Sequence, residues 1–417
     1  MSLSNNIPKP IIDNLDYLGN SFQQTNFSTA AFFSGEQSVP GSEVDLEFAL
    51  KFLISYNGST ATFNSYRREI ERLLQWAWFI HCRSVVTLKR EDIEQYISFC
   101  QSPPLHWIGI KNVARFQYRQ GSRVANPAWR PFVHTVTKQE HQLGHHVNPK
   151  AFTLSQAAIK AVFAILSSFF NYLVQESCIE NNPVALIRQK NKYIKTQQYQ
   201  APVRRISNLQ WEYVLDVVAN KANDMPEKYE RSLFIVHALY CMYLRISELV
   251  ADERSLPVMG DFRKDMDGHW WFHVTGKGNK DRIIAVSDAM LNALKRYRRY
   301  RQLAPLPSIG ESTVLIPKSS GFGPITSTRA IRNLVQQCFD DAYTCMQNDG
   351  LEDDAQELRA ATVHWLRHTG ISEDVKVRPR EHVRDDAGHA SMQTTDRYIE
   401  SDLRERHASS QKKRLTS

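Results

Sequence analysis

The sequence predicts a mainly α-helical protein of two domains, the second carrying a small antiparallel sheet. Apolar residues recur at helical spacing along most of the chain, while residues 269–286 instead form two apolar runs around a Gly-rich turn. The length, 417 residues, exceeds what one compact core serves. Hydrophobic residues at 42% and charged residues at 23% are the balance of a folded chain.

The elements follow in order. Residues 1–41, with Pro8, Pro10, Gly35 and Pro40, lack periodicity and are expected to form a flexible or loosely docked arm. From Ser42 the residues Leu46, Ala49, Leu50 and Leu53 mark a helix, broken at Asn57-Gly58-Ser59. Phe63, Tyr66, Ile70, Leu73, Leu74 and Ala77 stripe a second helix from Thr60 to about Cys82, whose other positions include Arg67, Arg68 and Arg72. A third runs from Glu91 to Cys100. Residues 102–150 are rich in Pro, Gly, His, Arg and Trp and predict a long insertion with short helices. His141, His145 and His146 lack Cys or carboxylate partners at ligand spacing, so no metal is expected there. An apolar helix from Thr153 to Glu176 closes a first domain over 42–187, and a basic linker over 188–206 carries Lys192 and Arg204.

Ser207-Asn208-Leu209-Gln210 has capping-box spacing and opens a second domain, 207–400. Helices are expected to about Asn220 and from Pro226 to about Tyr243, with Arg245 and Glu248 on the opening turn of the next. Trp270–Val274 and Arg282–Val286 predict a hairpin across Gly276-Lys277-Gly278-Asn279-Lys280. Helical patterns resume over 287–303 and 328–347, and the basic tail 401–417 ends the chain.

Lys+Arg exceeds Asp+Glu by 52 − 44 = 8, which favours a polyanionic partner, nucleic acid first. The six cysteines are scattered without a Cys-x-x-Cys pair, so free thiols in a reducing cytosol are expected. The first residues resemble no signal peptide, and no uninterrupted apolar stretch reaches transmembrane length. The expectation is a cytoplasmic protein without membrane attachment.

Several residues carry chemistry. Arg245 sits in an apolar run where an unpaired charge is expensive. Glu248 can brace it, either as a buried structural pair or with the guanidinium fork left to face a phosphate. Lys277, between glycines at a hairpin tip, is ordinary turn chemistry or a mobile ammonium able to protonate a leaving oxygen. His364 and Arg367 share one helical face. His389 after Gly388 serves equally well as a helix cap, and Tyr398 as one of sixteen ordinary tyrosines. Only as a set do cations, imidazoles and a phenol suit a phosphodiester.

Taken in order, Leu244-Arg245-Ile246-Ser247-Glu248-Leu249, Gly276-Lys277-Gly278-Asn279-Lys280-Asp281-Arg282, His364-Trp365-Leu366-Arg367-His368, Gly388-His389, and Thr394-Thr395 through Tyr398 resemble the tyrosine recombinase (phage integrase) family. Two local departures stand out. Leu244, with Tyr243 ahead of it, replaces the usual glycine before the first arginine, and 372–386 is charged where an apolar helix is usual. The resemblance implies a two-domain DNA clamp, a helical core-binding domain followed by a mixed α/β, mostly helical catalytic domain. It implies a site-specific DNA recombinase of a mobile genetic element that cleaves and rejoins strands through a 3′-phosphotyrosyl intermediate. Tyr398 is then the nucleophile, Arg245 and Arg367 the phosphate clamp, and Glu248 a support. His364 and His389 add hydrogen bonds, with His364 taking the tyrosine proton, and Lys277 is the general acid. No metal or cofactor is implied. The implied partners are double-stranded DNA with paired half-sites and further copies of the chain, a tetramer on DNA. Candidate DNA contacts are Arg67, Arg68, Arg72, Lys192, Arg204, Lys280 and Arg282. A type IB topoisomerase-like relaxing enzyme and a non-catalytic DNA-binding protein on the same fold are the alternatives.

Overall fold

The computed structural model describes residues 7–18, 39–136, 144–187, 204–253, 255–276, 280–396, 398 and 410–411. The chain separates into two compact units, Met1–Gln198 and Tyr199–Ser417. The dividing point falls inside the basic stretch 188–206, of which residues 188–203, Lys192 included, lie outside the described residues. Lys277, His141 and the tail beyond Tyr398, save 410–411, also lie outside them.

The first unit is built on α1 (Ser42–Ile54), α2 (Thr60–Phe79), α3 (Arg90–Gln101) and α4 (Gln156–Gln175). Ser59 and Ser155 cap α2 and α4 by accepting from the amides of Thr62 and Ala158. Contrary to the sequence expectation, α4 is long and apolar enough by composition to cross a membrane. Its Ile159, Val162, Leu166, Phe169 and Phe170 instead belong to the same core as Leu46, Phe52 and Leu53 of α1 and Leu73 and Leu74 of α2.

Two expectations for this unit are corrected. Residues 7–18 are an integral part of it rather than a loosely docked arm. Ile11 and Ile12 are buried, and the amides of both donate to the buried carboxylate of Glu71, that of Ile12 at 3.0 Å. Of the short helices expected in 102–150, the described residues hold two single 3-10 turns, Leu105–Trp107 and Pro149–Ala151, and no α-helix. Instead β1 (Ile108–Gly109) pairs in parallel with β4 (Phe132–Val133), and β2 (Phe116–Arg119) forms a hairpin with β3 (Ser122–Ala125). The hairpin turns on Gln120 and Gly121, both at positive φ, the backbone that two-residue hairpin turns require. Strands this short present too little alternation to be seen in a sequence.

The supposed basic face of α2 is likewise internal. Arg67 lies in register with Phe63, Ile70 and Leu74, so the helix carries it into the core. There its Nη1 donates to the Asp13 carbonyl (2.7 Å) and to Asn14 Oδ1 (2.8 Å). Arg72 lies over the Phe132 ring and donates to the Pro131 carbonyl from Nε and Nη2 at 2.9 and 2.6 Å. Only Arg68 of the three is exposed, paired with Glu69 at 2.6 Å.

In the second unit Ser207 and Gln210 cap α5 (Asn208–Asp224) reciprocally. Then follow α6 (Pro226–Cys241), a sheet, α7 (Asp288–Tyr300), α8 (Thr328–Asn348), α9 (Glu352–Arg359), α10 (Val363–Asp374), α11 (Arg380–Ala387) and α12 (Met392–Asp396). Arg245 precedes a single 3-10 turn, Ile246–Leu249, rather than a helix. The sheet is antiparallel in the order β5 (Phe262–Lys264), β6 (Trp270–Gly276), β7 (Lys280–Ala285), so the hairpin gains a three-residue edge strand that the sequence did not announce. Phe262, Phe272, Val274 and Ile284 face the core, while Ile283 is exposed, as strand alternation dictates.

Glu71 tests the docking of the N-terminal segment. Arg115 also pairs with it, and burial, then the neighbouring Arg67, pushes the Arg115 guanidinium down to about 9. Glu71→Ala would strand that charge and two backbone donors, and is expected to cost about 3 kcal/mol or more in denaturant unfolding. A loss below about 1 kcal/mol would show that the segment is held by other means.

Candidate active site

The predicted site residues within the described part of the second unit gather around the C-terminal end of α11. Gly388 adopts the left-handed conformation (φ 64°) and ends that helix. The His389 amide donates to the Arg384 carbonyl and the Gly388 amide to that of Asp385, a Schellman closure that fixes the direction in which His389 leaves the helix. The next three carbonyls are taken by three arginines. Asp386 O accepts from Arg282 Nε (3.1 Å), Ala387 O from Arg367 Nη2 (2.6 Å) and Gly388 O from Arg245 Nη2 (3.1 Å). These are carbonyls that a helix leaves unpaired at its negative end, which attracts cations.

Each arginine reaches this point by its own route. Arg245 precedes the 3-10 turn, and Glu248 returns to accept from its backbone amide (2.7 Å) and from its Nη1 (3.0 Å). Arg367 is on the buried face of α10 with Leu366, Gly370 and Ile371, and its other fork nitrogen donates to the Tyr243 carbonyl. Gly370 permits this depth: a Cβ there would meet the Tyr240 carbonyl oxygen at 2.2 Å. Arg282 shares the inner face of β7 with Ile284 and pairs with both oxygens of Glu248 (2.6 and 2.8 Å). Arg282 is thus a second ligand of Glu248 rather than an outward DNA contact, and strand parity with Ile284 was the signal for it. Lys280 lies in β7, and Arg204 is exposed.

Tyr398 stands on the turn after α12, its amide bonded to the Thr395 carbonyl at 3.0 Å. Thr395 is buried, and its hydroxyl bonds His389 Nδ1 at 2.9 Å. The His389 ring lies parallel to the tyrosine ring, centroids 5.7 Å apart. The phenol oxygen is 2.7 Å from Nδ1 of His368. His368 was quoted in the motif but given no role, and it partners the phenol where His364 was expected to. His364 is exposed, one turn earlier on α10, its ring 6.3 Å from that of His368. The i, i+4 spacing of the two histidines was the available clue.

Three guanidinia around one carboxylate leave the pocket positively charged. Glu248 is buried, which raises its pKa, but Arg282 and Arg245 outweigh that and hold it below the usual carboxylate range. Burial, then repulsion from Arg245 and Arg282, pushes the Arg367 guanidinium down to about 10, still protonated at neutral pH. Burial is also the main reason that His389 sits at about 4, with Arg367 and Arg245 adding to it. His364, though exposed, is lowered by partial desolvation of its ring and then by Arg367. The pocket therefore holds neutral His389 beside crowded cations, an arrangement that an anion relieves. Because His389 titrates below the ordinary 6.5 in the folded chain, the unfolded chain binds that proton more readily. Its contribution to stability is full above pH 6.5 and falls as pH drops from there to about 4. His389→Gln should flatten the pH dependence of denaturant unfolding across that window, and an unchanged slope would refute the assignment.

No protein-family model matches the chain. Tyrosine recombinase XerC of Chlorobaculum parvum is 24% identical over 323 residues, 75% of this chain and 83% of that protein. Tyrosine recombinase XerD of Brucella abortus is 30% identical over 175 residues, 40% of this chain and about half (51%) of that protein. Among solved structures, the XerH site-specific recombinase bound to palindromic difH substrate superposes with a TM-score of 0.54 at 16% identity, covering 91% of each chain. An integrase of the Tn1549 transposon in complex with a circular intermediate DNA gives 0.50 at 14% identity, covering 88% of this chain and 98% of that one. The fold is shared, and relatives by sequence carry the same name as the family whose ordered motifs meet at the end of α11. The chain is similar to tyrosine recombinases in sequence and shares their fold.

Proposed function

We propose that this chain is a site-specific recombinase that cuts and rejoins DNA strands through a 3′-phosphotyrosyl intermediate formed on Tyr398. The observation that carries it is the placement of the Tyr398 hydroxyl, 2.7 Å from His368 Nδ1 and beside His389, at a pocket edged by Arg245 and Arg367. A free phenol has a pKa of about 10 and is a poor nucleophile at neutral pH. His368, with Nδ1 unprotonated, takes the phenol proton as the oxygen attacks phosphorus. Arg245 and Arg367 bind the non-bridging oxygens and offset the charge that grows in the pentacoordinate state. His389 and His364 add hydrogen bonds to the phosphate. Lys277, which follows β6, protonates the departing 5′-oxygen, and the reverse steps reseal the strand onto another 5′-hydroxyl. DNA with paired half-sites is the substrate and a tetramer the working assembly.

A nicked suicide DNA substrate tests the nucleophile. The wild-type chain should form an adduct that survives denaturation, and Tyr398→Phe should form none. An adduct that persists in Tyr398→Phe sinks the assignment. His368→Ala should slow adduct formation about a hundredfold or more, beyond the effect of His364→Ala. The opposite ranking would return the proton to His364.

Lys277→Ala should be slow on ordinary DNA and recover on a substrate with sulfur at the bridging 5′ position, because a thiolate leaves without a proton. No recovery would remove Lys277 as the acid. Relaxation of supercoiled DNA without exchange between two sites would favour the relaxing-enzyme alternative. A two-site complex that recombines at less than tetramer mass would refute the assembly.

A further inference from the structure

The two departures from the family pattern noted in the sequence, Leu244 with Tyr243 ahead of it and the charged stretch 372–386, meet in the folded chain through Tyr243. Tyr243 is buried and holds φ at 50°, a left-handed conformation that a side chain adopts at a cost. Its ring packs on Ile371, Val383 and Ala387. Its hydroxyl donates to Asp374 and receives Arg378 Nη1 at 3.0 Å. Arg378 also reaches Asp374 Oδ2 (3.1 Å) and, from Nη2, Asp386 Oδ2 (2.6 Å). The other oxygen of Asp386, itself buried, accepts from the Ala285 amide of β7 at 3.2 Å. Burial, then Asp374, raises the Tyr243 pKa, so the phenol stays a neutral donor.

This chain of side chains ends where the arginines are held. The Tyr243 carbonyl receives one fork nitrogen of Arg367 and the Ala387 carbonyl receives the other. Tyr243 therefore holds Arg367 through its backbone, and through Arg378 and Asp386 it ties down the helix end that holds the other side. We propose that Tyr243, Asp374, Arg378 and Asp386 form a positioning brace that sets the separation of the Tyr243 and Ala387 carbonyls, and with it the aim of Arg367 at the scissile phosphate. The brace sets a polar lock beside Leu244 and along 372–386, the places where a glycine and an apolar helix are usual. None of the four residues is assigned a contact with DNA. The proposal rests on the phosphodiester reading of the pocket.

The test uses the full chain on the nicked suicide substrate, with DNA in excess. Tyr243→Phe and Arg378→Met should each lower the first-order rate of adduct formation by about tenfold to a hundredfold, the effect of a small misplacement of a clamp. The half-saturating DNA concentration should move by no more than roughly threefold, because the loss is in the transition state. The double variant should be no slower than the slower single, since both cut one network. Tyr243→Gly should be as slow as Tyr243→Phe, because relief of the positive φ does not restore the hydroxyl. Rates within about twofold of wild type in both single variants, losses that multiply in the double, or a Tyr243→Gly chain at wild-type rate would each overturn the brace. If Arg378→Met fails to fold, the Phe and Gly variants carry the test. A second readout does not need cleavage. The NMR titration midpoint of His389, held low in part by Arg367, should rise in Tyr243→Phe as that guanidinium loosens, and an unmoved midpoint counts against the brace. Absence of a wild-type adduct would instead refute the active-site reading, and the midpoint would still judge the brace.

Discussion

The candidate site depends on the three backbone carbonyls at the end of α11, each bonded to a different arginine. A helix end exposes acceptors that must find donors, and here the donors are guanidinia brought from a loop, a strand and another helix. The left-handed Gly388 makes this possible by turning the chain so that the Asp386, Ala387 and Gly388 carbonyls point outward from the closed helix. A Cβ on Gly388 would also come within 2.8 Å of Arg282 Cδ, so the same glycine serves the turn and the close packing of an arginine. His389 leaves from this point, which ties the imidazole to the arginine cluster.

Glu248 decides which of these cations remains available. It takes both guanidinium ends of Arg282 but only one guanidinium nitrogen of Arg245. Arg282 is thereby held through all three of its nitrogens, with its Nε on Asp386 O as well, and it acts as a structural counter-charge. Arg245 retains donors and partial exposure. Buried ion pairs of this kind add little net stability, since desolvation consumes most of the attraction, but they fix geometry. The result is a positive pocket whose members repel one another, a repulsion that adds to burial in lowering His389 and Arg367. An arriving phosphate relieves that repulsion, and the relief grows as charge accumulates on its oxygens.

The sequence showed the long helices well, because α2, α4 and α8 span five or more turns each and carry a continuous apolar stripe. It showed the ordered motif residues as a set but not the way they meet. Arg67 and Arg282 looked like surface cations because charge alone was counted. Their helical and strand registers, with Phe63 and Ile70 in one case and Ile284 in the other, place them inside. Buried arginines become affordable through partners distant in sequence, such as Asp13 for Arg67 and Glu248 for Arg282, and no local pattern announces such pairs. The strands of 102–150 and β5 escaped for a different reason, since two to four residues give no period to detect.

The position of Tyr398 brings these constraints to bear on reactivity. The proposed nucleophile is carried by a short turn, and α12 before it is only five residues long, too short to be stable by itself. What holds it is the side-chain path from Thr395 to His389, and from His389 back to the helix end that holds the arginines. Tyr398 and the arginine cluster thus share one anchor, so a displacement of α11 moves both together rather than opening a gap between them. His368 is the exception, since it comes from α10, one residue after Arg367. The distance from phenol to imidazole therefore reports how α10 and α11 are set against each other, which is also what determines the span of the Arg367 fork. The proposed proton removal and phosphate clamping depend on one helix–helix spacing, and that spacing is where the Tyr243 hydroxyl and Arg378 lie.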